Sequence, residues 1–395
     1  MKRNPFAIPA FGIISASGFV DGGADNTTWA IFGDATLDLN ENWSVFGGLR
    51  YTDETLDYSI ANTSVVALLG ATYEQSVDNY LAARDAAFMA PAVQFDGSVS
   101  ENEVTGRIGV TYNFSDNRSA YLSYSTGYKG PGVNLSRTAT DPDNATLEPE
   151  TATAVELGFK GGFLDNRLYL GVALFSQEID DLQLSQLIPG TINSQLVNAG
   201  SLESTGVEID FNAALTEGLS VNGGLVYLDA ETQGLINTCY PGQIYATGCQ
   251  AGFDTEIPDS SSPSGFLKSA RDLAGEQAPL APEYSFRLGV NYDWVLNNMP
   301  FNIYARYDFN WRDSFTSRLG ADPQVEIDSL GLSNLSVGLL DKDGHWEVTL
   351  FGRNIGDEFH MGNVYEVNGL IGRAVGYTTR EAFAYWGVRA RYSFF

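Results

Sequence analysis

The sequence predicts an all-β fold, an antiparallel up-and-down transmembrane β-barrel, and three observations predict it. Apolar and polar residues alternate with a period of two over many segments, clearest where Phe301, Ile303, Ala305, Tyr307, Phe309 and Trp311 interleave with Asn302, Tyr304, Arg306, Asp308, Asn310 and Arg312. That period marks a strand with unlike surroundings on its two sides. The links between segments switch between tight turns and long loops. No stretch approaches the roughly 18 uninterrupted apolar residues of a membrane helix, so a chain of this kind crosses a bilayer as strands.

The chain divides into an N-terminal segment or first strand, residues 1–27, and a barrel portion, residues 28–395. Lys2 and Arg3 precede an apolar stretch from Phe6 to Phe19, the outline of a secretory signal. Pro5 and Pro9 interrupt it and no small-x-small cleavage site closes it, so it reads better as structure. Strands are expected near 28–39, 43–58, 98–114, 118–130, 150–163, 166–180 and 196–214. A second group is expected near 219–232, 281–295, 299–315, 325–340, 345–356 and 381–395. Asn, Asp and Gly mark tight turns at 39–42, 115–117, 164–166, 216–218, 297–298 and 341–344. Long links fall near 59–97, 131–149, 181–195, 233–280, 316–324 and 357–380. Outer-membrane barrels keep short turns on the periplasmic side and long loops outside, and the chain follows that parity. Counting back from a periplasmic C-terminus, the strand ending at Leu39 descends, so an ascending strand should precede it. Phe6 to Phe19 is the candidate, which makes about fourteen strands.

The alternation assigns two faces. Val104, Ile108, Val110, Tyr112, Val155, Leu157, Phe159, Val207, Ile209, Phe211, Phe286, Leu288, Val290 and Tyr292 should meet lipid. Arg107, Glu156, Lys160, Glu208, Asp210, Arg287, Asp293, Arg306, Asp308, Arg353, Arg389 and Arg391 should line the lumen. Charges of both signs on one wall suit water or a polar plug better than a packed interior. A large soluble β-protein with one solvated face would show the same alternation, but soluble sheets rarely keep so many long strands in strict turn and loop order. Trp29, Trp43, Tyr51, Tyr58, Tyr112, Phe114, Tyr292, Trp294, Trp311 and Trp346 fall near strand ends, where interfacial girdles lie.

Composition narrows function. The chain has 395 residues, 44% hydrophobic, and a formal net charge of -27 with five lysines, which argues against nucleic acid as a partner. Cys239 and Cys249 share the longest link and read as a disulfide exposed to an oxidising compartment; as metal ligands, two thiolates without a nearby His fill half a tetrahedral site. The two histidines, His345 and His360, stand outside any GxSxG-like context, so no catalytic, cofactor or metal set is assigned. Tyr73, Tyr80, Tyr240, Tyr245 and Phe253 are loop aromatics available for ligand recognition.

Several runs resemble the barrel of TonB-dependent outer-membrane receptors. They are Ser119 to Lys129 followed by Leu147-Glu148-Pro149-Glu150-Thr151; Val197-Asn198-Ala199-Gly200 leading into Ser204 to Glu208; Gly352 to Glu358; and the ending Trp386 to Phe395. The resemblance implies a cell outer membrane location, a barrel of about 22 strands, an N-terminal plug, and uptake of ferric siderophores or other scarce ligands energised by the TonB complex. It also implies outer-membrane lipid and lipopolysaccharide as surroundings, and the barrel-assembly machinery as a partner reading Tyr392, Phe394 and Phe395. The chain departs from the pattern: no plug, TonB box or convincing signal precedes residue 28, and about eight strands are wanting. It reads as the C-terminal portion of such a barrel. A receptor and a plug-less passive pore or non-functional receptor fragment both remain open.

Overall fold

The structure is a computed structural model that describes residues 13–68, 93–134, 145–187, 194–239, 249–251, 269–320, 322–367 and 373–394. Thirteen strands follow one another across one antiparallel sheet: β1 (Ile13–Asp38), β2 (Trp43–Leu68), β3 (Val93–Ser115), β4 (Arg118–Lys129), β5 (Glu150–Phe163), β6 (Leu168–Asp180), β7 (Ser201–Ala214), β8 (Leu219–Gln233), β9 (Tyr284–Trp294), β10 (Phe301–Arg312), β11 (Leu330–Asp341), β12 (Trp346–Arg353) and β13 (Tyr385–Tyr392). Each pairs with its neighbours in sequence, the up-and-down order. The fourteenth strand of the sheet is the short Glu276–Gln277, laid on β8 at Glu231 and Thr232.

The sheet holds about as many strands as expected, but one of them is not where the sequence suggested. Ile13 to Phe19 is not a separate ascending strand but the opening of β1, which runs on through the segment expected at 28–39. From Ser15 to Asp38 its register with β2 is unbroken. The sequence hides this because Asp21-Gly22-Gly23-Ala24-Asp25 has no alternation, while a backbone ladder needs none. β2 and β3 likewise run on to Leu68 and from Val93, past the expected ends.

The tight turns hold as side-chain chemistry predicts. Asn40 Oδ1 accepts from the backbone N–H groups of Asn42 at 2.9 Å and Trp43 at 3.0 Å. Thr216 Oγ1 accepts from Leu219 N at 3.0 Å. Leu164, Asp165 and Asn166 all take left-handed φ, at 53°, 55° and 65°; Asp and Asn tolerate this and Leu bears a cost.

Register carries apolar rungs across the sheet. One reads Val45, Val110, Leu122, Leu157, Leu174, Val207, Tyr227 and Tyr284 from β2 to β9. Leu122, Leu157 and Leu174 stay 46–49% exposed. A continuous exposed apolar face of this extent fits lipid and no aqueous monomer surface. At the tight-turn end aromatic rings meet in series: Trp43 with Tyr112 at 4.7 Å between centroids, Tyr112 with Phe114 at 4.8 Å, and Tyr292 with Trp294 at 4.2 Å. These form an interfacial belt.

Buried apolar clusters sit instead among the long loops. Tyr58, Ile60 and Ala145 pack with Val99 and Val133, and Val325, Ile327 and Val364 pack with Phe315 and Ala374. The loop after β4 is thereby laid against the upper ends of β2 and β3.

Candidate binding wall on the polar face

The alternates of the apolar rungs make the candidate site. Ladder partners fix their side. Arg107 faces Gly48 and Ser125; Glu156 faces Ser123 and Phe175; Lys160 faces Ser119 and Gly171. Glu208 faces Ala173 and Val226, and Asp210 faces Gly171 and Gly224. Arg287 faces Gly224 and Asn310, Arg306 faces Asn291 and Ser336, and Asp308 faces Gly289 and Asn334. Arg353, Arg389 and Arg391 face Tyr385, Thr349 and Glu347. By this parity all eleven share the face opposite the apolar rungs.

Glycine opposite a charge makes room for it. Gly48 lies between Asp34 and Arg107 in the ladder, and a Cβ there would come within 2.6 Å of the Asp34 carboxylate. With no side chain in between, Arg107 Nη2 reaches across β2 to Asp34 Oδ2 at 2.7 Å. Both side chains are about half exposed, so the pair contributes little stability.

Elsewhere aromatic rings lie flat over glycine. Tyr304 covers Gly338 and its hydroxyl donates to Glu347 at 2.6 Å, with Thr349 Oγ1 also at 2.6 Å. Glu347 in turn holds Arg391 at 3.3 Å and Arg389 at 3.8 Å. Tyr121 covers Gly158, donates to Glu156, and carries Lys160 Nζ 5.3 Å from its ring centroid. Sequence reasoning missed Glu347, Asp34 and the two tyrosines. Glu347 shares the parity of Arg353 and was legible from it; the ring-over-glycine contacts depend on register between strands and were not.

The charges on this face are segregated. The β1–β7 half bears Asp34, Asp38, Glu54, Glu101, Glu103, Glu150, Glu156, Glu208 and Asp210 against Arg50, Arg107, Lys129 and Lys160. The β9–β13 half bears Arg287, Arg306, Arg312, Arg353, Arg389 and Arg391 against Asp293, Asp308 and Glu347. Asp210 and Arg287 flank Gly224 without an ion pair among the described residues. A cavity of about 540 Å³ opens there, lined also by Glu208, Ser285 and Asn310.

Above the wall the loops are tied together. Gln183 Nε2 donates to the carbonyls of Gly130 at 2.8 Å and Glu148 at 2.9 Å, and Asn198 Nδ2 donates to those of Glu148 and Asp181. Asn354, 1% exposed, donates to the carbonyls of Glu358 and Glu381 and anchors the last long loop. Cys239 and Cys249 form a disulfide with their Cα atoms 5.6 Å apart. Tyr73, Tyr80, Tyr240, Tyr245 and Phe253 lie outside the described residues. His360 meets the Glu358 carbonyl and the Thr379 hydroxyl, and His345 gathers with Asp341 and Asp343 at an exposed turn. At the C-terminal end the rings of Tyr392 and Phe394 meet edge to face at 5.0 Å, 60% and 81% exposed; Phe395 lies outside the described residues.

A family model described as TonB dependent receptor-like, beta-barrel matches residues 2–355. The chain belongs to that family. TonB-dependent receptors of this kind are outer-membrane β-barrels, and the exposed apolar rungs place the chain there. Among curated relatives, the probable TonB-dependent siderophore receptor PiuA of Acinetobacter baumannii is 24% identical over 241 residues, covering 59% of this chain and 32% of that receptor. The catecholate siderophore receptor Fiu of Escherichia coli O157:H7 is 27% identical over 237 residues, 56% of this chain and 29% of Fiu. Among solved structures, the ferric yersiniabactin uptake receptor FyuA from Yersinia pestis superposes with a TM-score of 0.68 at 18% identity, over 95% of this chain and 47% of FyuA. The copper transporter OprC does so with a TM-score of 0.56 at 13% identity, over 94% of this chain and 48% of OprC. The chain thus spans about a third of the length of these curated relatives and about half of the solved receptors.

Proposed function

We infer that the chain forms barrel wall in an outer-membrane receptor that takes up a ferric siderophore, with energy delivered by the TonB complex. The observation that carries this is a single sheet with an exposed apolar face and a charged opposite face, in a chain of the TonB-dependent receptor family whose curated relatives PiuA and Fiu are siderophore receptors. The apolar face meets lipid and lipopolysaccharide, and the polar face is the lumen wall. Arg107, Glu156, Lys160, Glu208, Asp210, Arg287, Arg306, Asp308, Arg353, Arg389 and Arg391 then hydrogen-bond to a plug domain and to passing ligand. The work is binding and gating rather than bond chemistry, so no enzymatic activity is assigned. Tyr392 and Phe394, exposed at the C-terminal end, are offered to the barrel-assembly machinery.

The structure neighbours include a copper transporter, so the fold by itself does not choose the cargo. Deletion of the gene in its host, followed by uptake of radiolabelled iron from a panel of ferric siderophores under iron limitation, tests the reading. Loss of uptake for one siderophore, restored by the intact gene, is the expected result. Uptake unchanged across the panel, with or without a working TonB, would remove the receptor assignment.

A further inference from the structure

The short turn between β11 and β12 brings together side chains of unlike chemistry. Asp341, Asp343 and His345 each offer one donor atom, and the three atoms lie within 4.8 Å of one another, the one such convergence among the described residues. The run Asp341-Lys342-Asp343-Gly344-His345 achieves this by its spacing and its turn. Gly344 takes φ +76° and its N–H donates to the Asp341 carbonyl at 3.0 Å, so the chain reverses and returns His345 to Asp341.

The donor set is mixed, and its charge is left uncompensated. Asp341 has a side chain only 11% exposed. Its Oδ2 accepts from the His345 backbone N–H at 3.2 Å and lies 3.4 Å from His345 Nδ1, while its Oδ1 has no hydrogen bond among the described residues. A largely buried carboxylate with an unused oxygen is costly without a partner. Asp343 makes no hydrogen bond or ion pair among the described residues. Lys342, the cation of the turn, is drawn away: its Nζ donates to the Leu296 carbonyl at 2.5 Å and its N–H to the Pro300 carbonyl at 3.1 Å. A simple His–Asp ion pair would use Asp341 and His345 and leave Asp343 idle.

We propose that this turn is a binding site for a first-row divalent transition ion, held by the Asp341 and Asp343 carboxylates and the His345 imidazole, with water completing the coordination. The imidazole decides the class, since calcium and magnesium take oxygen donors whereas zinc, copper, nickel and iron accept ring nitrogen. Donors around such an ion stand about 3–3.5 Å apart. The Asp341 and His345 pair already has that spacing, and rotation of the exposed Asp343 side chain closes the rest. The His345 carbonyl accepts from Ser393 N at 2.8 Å, so a bound ion would stiffen the turn beside the end of β13. The site lies at the tight-turn end of the sheet and asks nothing of the ligand taken up.

Isothermal titration with nickel tests this on the full chain, purified from membranes in detergent without a polyhistidine tag and kept in excess magnesium to occupy unspecific carboxylates. One saturable site per chain is expected, with affinity rising from cobalt to nickel to copper. His345→Ala and Asp343→Asn should each weaken nickel at least tenfold, and His360→Ala, at the other histidine, should leave it unchanged. Each variant must keep the parent's far-ultraviolet β spectrum. Should Asp343→Asn lose it, His345→Ala decides, because the backbone bonds of the turn do not use the ring. No saturable binding, equal weakening by His360→Ala, or displacement of nickel by calcium at equal concentration overturns the site. None of these results touches the iron-uptake test, so the metal site and the receptor reading fail separately.

Discussion

At the scale of single residues, the sequence reveals which face a side chain occupies but not what it meets there. Alternation placed Arg306 and Arg353 on one side of the sheet without any knowledge of pairing. The Tyr304 and Glu347 contact needed the register of β10, β11 and β12, because Tyr304 reaches Glu347 only across Gly338. Tyr304 is 6% exposed, and its hydroxyl is bonded to a carboxylate that also holds two arginines. Tyr304→Phe removes that bond while leaving the ring on Gly338, and should cost about 2 kcal/mol. Gly338→Val acts on the other partner: a Cβ would lie 2.3 Å from the Tyr304 ring, so ring or strand must shift, at about 1–3 kcal/mol. Denaturant unfolding in detergent measures both. Equal stability of Tyr304→Phe and the parent would show that the hydroxyl is satisfied as well by water.

At the scale of elements, strands were legible where they cross lipid and poorly legible above it. Within the bilayer one face must be apolar, so period two is enforced on the sequence. Beyond it both faces meet water or loop, and only the backbone ladder persists, which is why β1 and β2 run on through polar and glycine-rich sequence. The expected strand at 196–214 breaks for a related reason. Gly200 takes φ +60°, and a Cβ there would stand 2.2 Å from the Gln233 carbonyl oxygen, so Ser194–Asn198 folds back on Gln183–Leu187 while β7 starts anew at Ser201. Gly200→Ala should therefore destabilise the loop end of β7 and β8 by at least about 1 kcal/mol, read as faster hydrogen exchange confined to those strand ends. The disulfide acts more locally still. Cys239→Ser with Cys249→Ser frees a loop of about ten residues, worth roughly 2–3 kcal/mol of loop ordering. Limited proteolysis should then cut between β8 and β9 first and leave the sheet intact; an unchanged digestion pattern would show that other contacts hold the loop.

At the scale of the whole molecule, parity sets a condition that no single strand reveals. Among the described residues, thirteen strands in up-and-down order place β1 and β13 in the same direction, so joining these two edges would be a parallel pairing. The edges also differ in length, 26 residues against eight, so most of β1 would stay unpaired even then. Unpaired backbone groups in hydrocarbon cost several kcal/mol each. An antiparallel closure instead needs a complement whose first and last strands both ascend, which makes its number odd. A barrel of about 22 strands asks for about nine, where a fourteen-strand path would have asked for an even number. The chain alone in a planar bilayer should accordingly give no steady single-channel conductance and no compact, heat-modifiable band. Supplying an odd-stranded complement carrying the remaining barrel should produce the compact band. Steady, ligand-independent conductance from the chain alone would show that β1 and β13 do meet in parallel, and the polar face would then line an open pore, its acidic and basic halves facing each other across water.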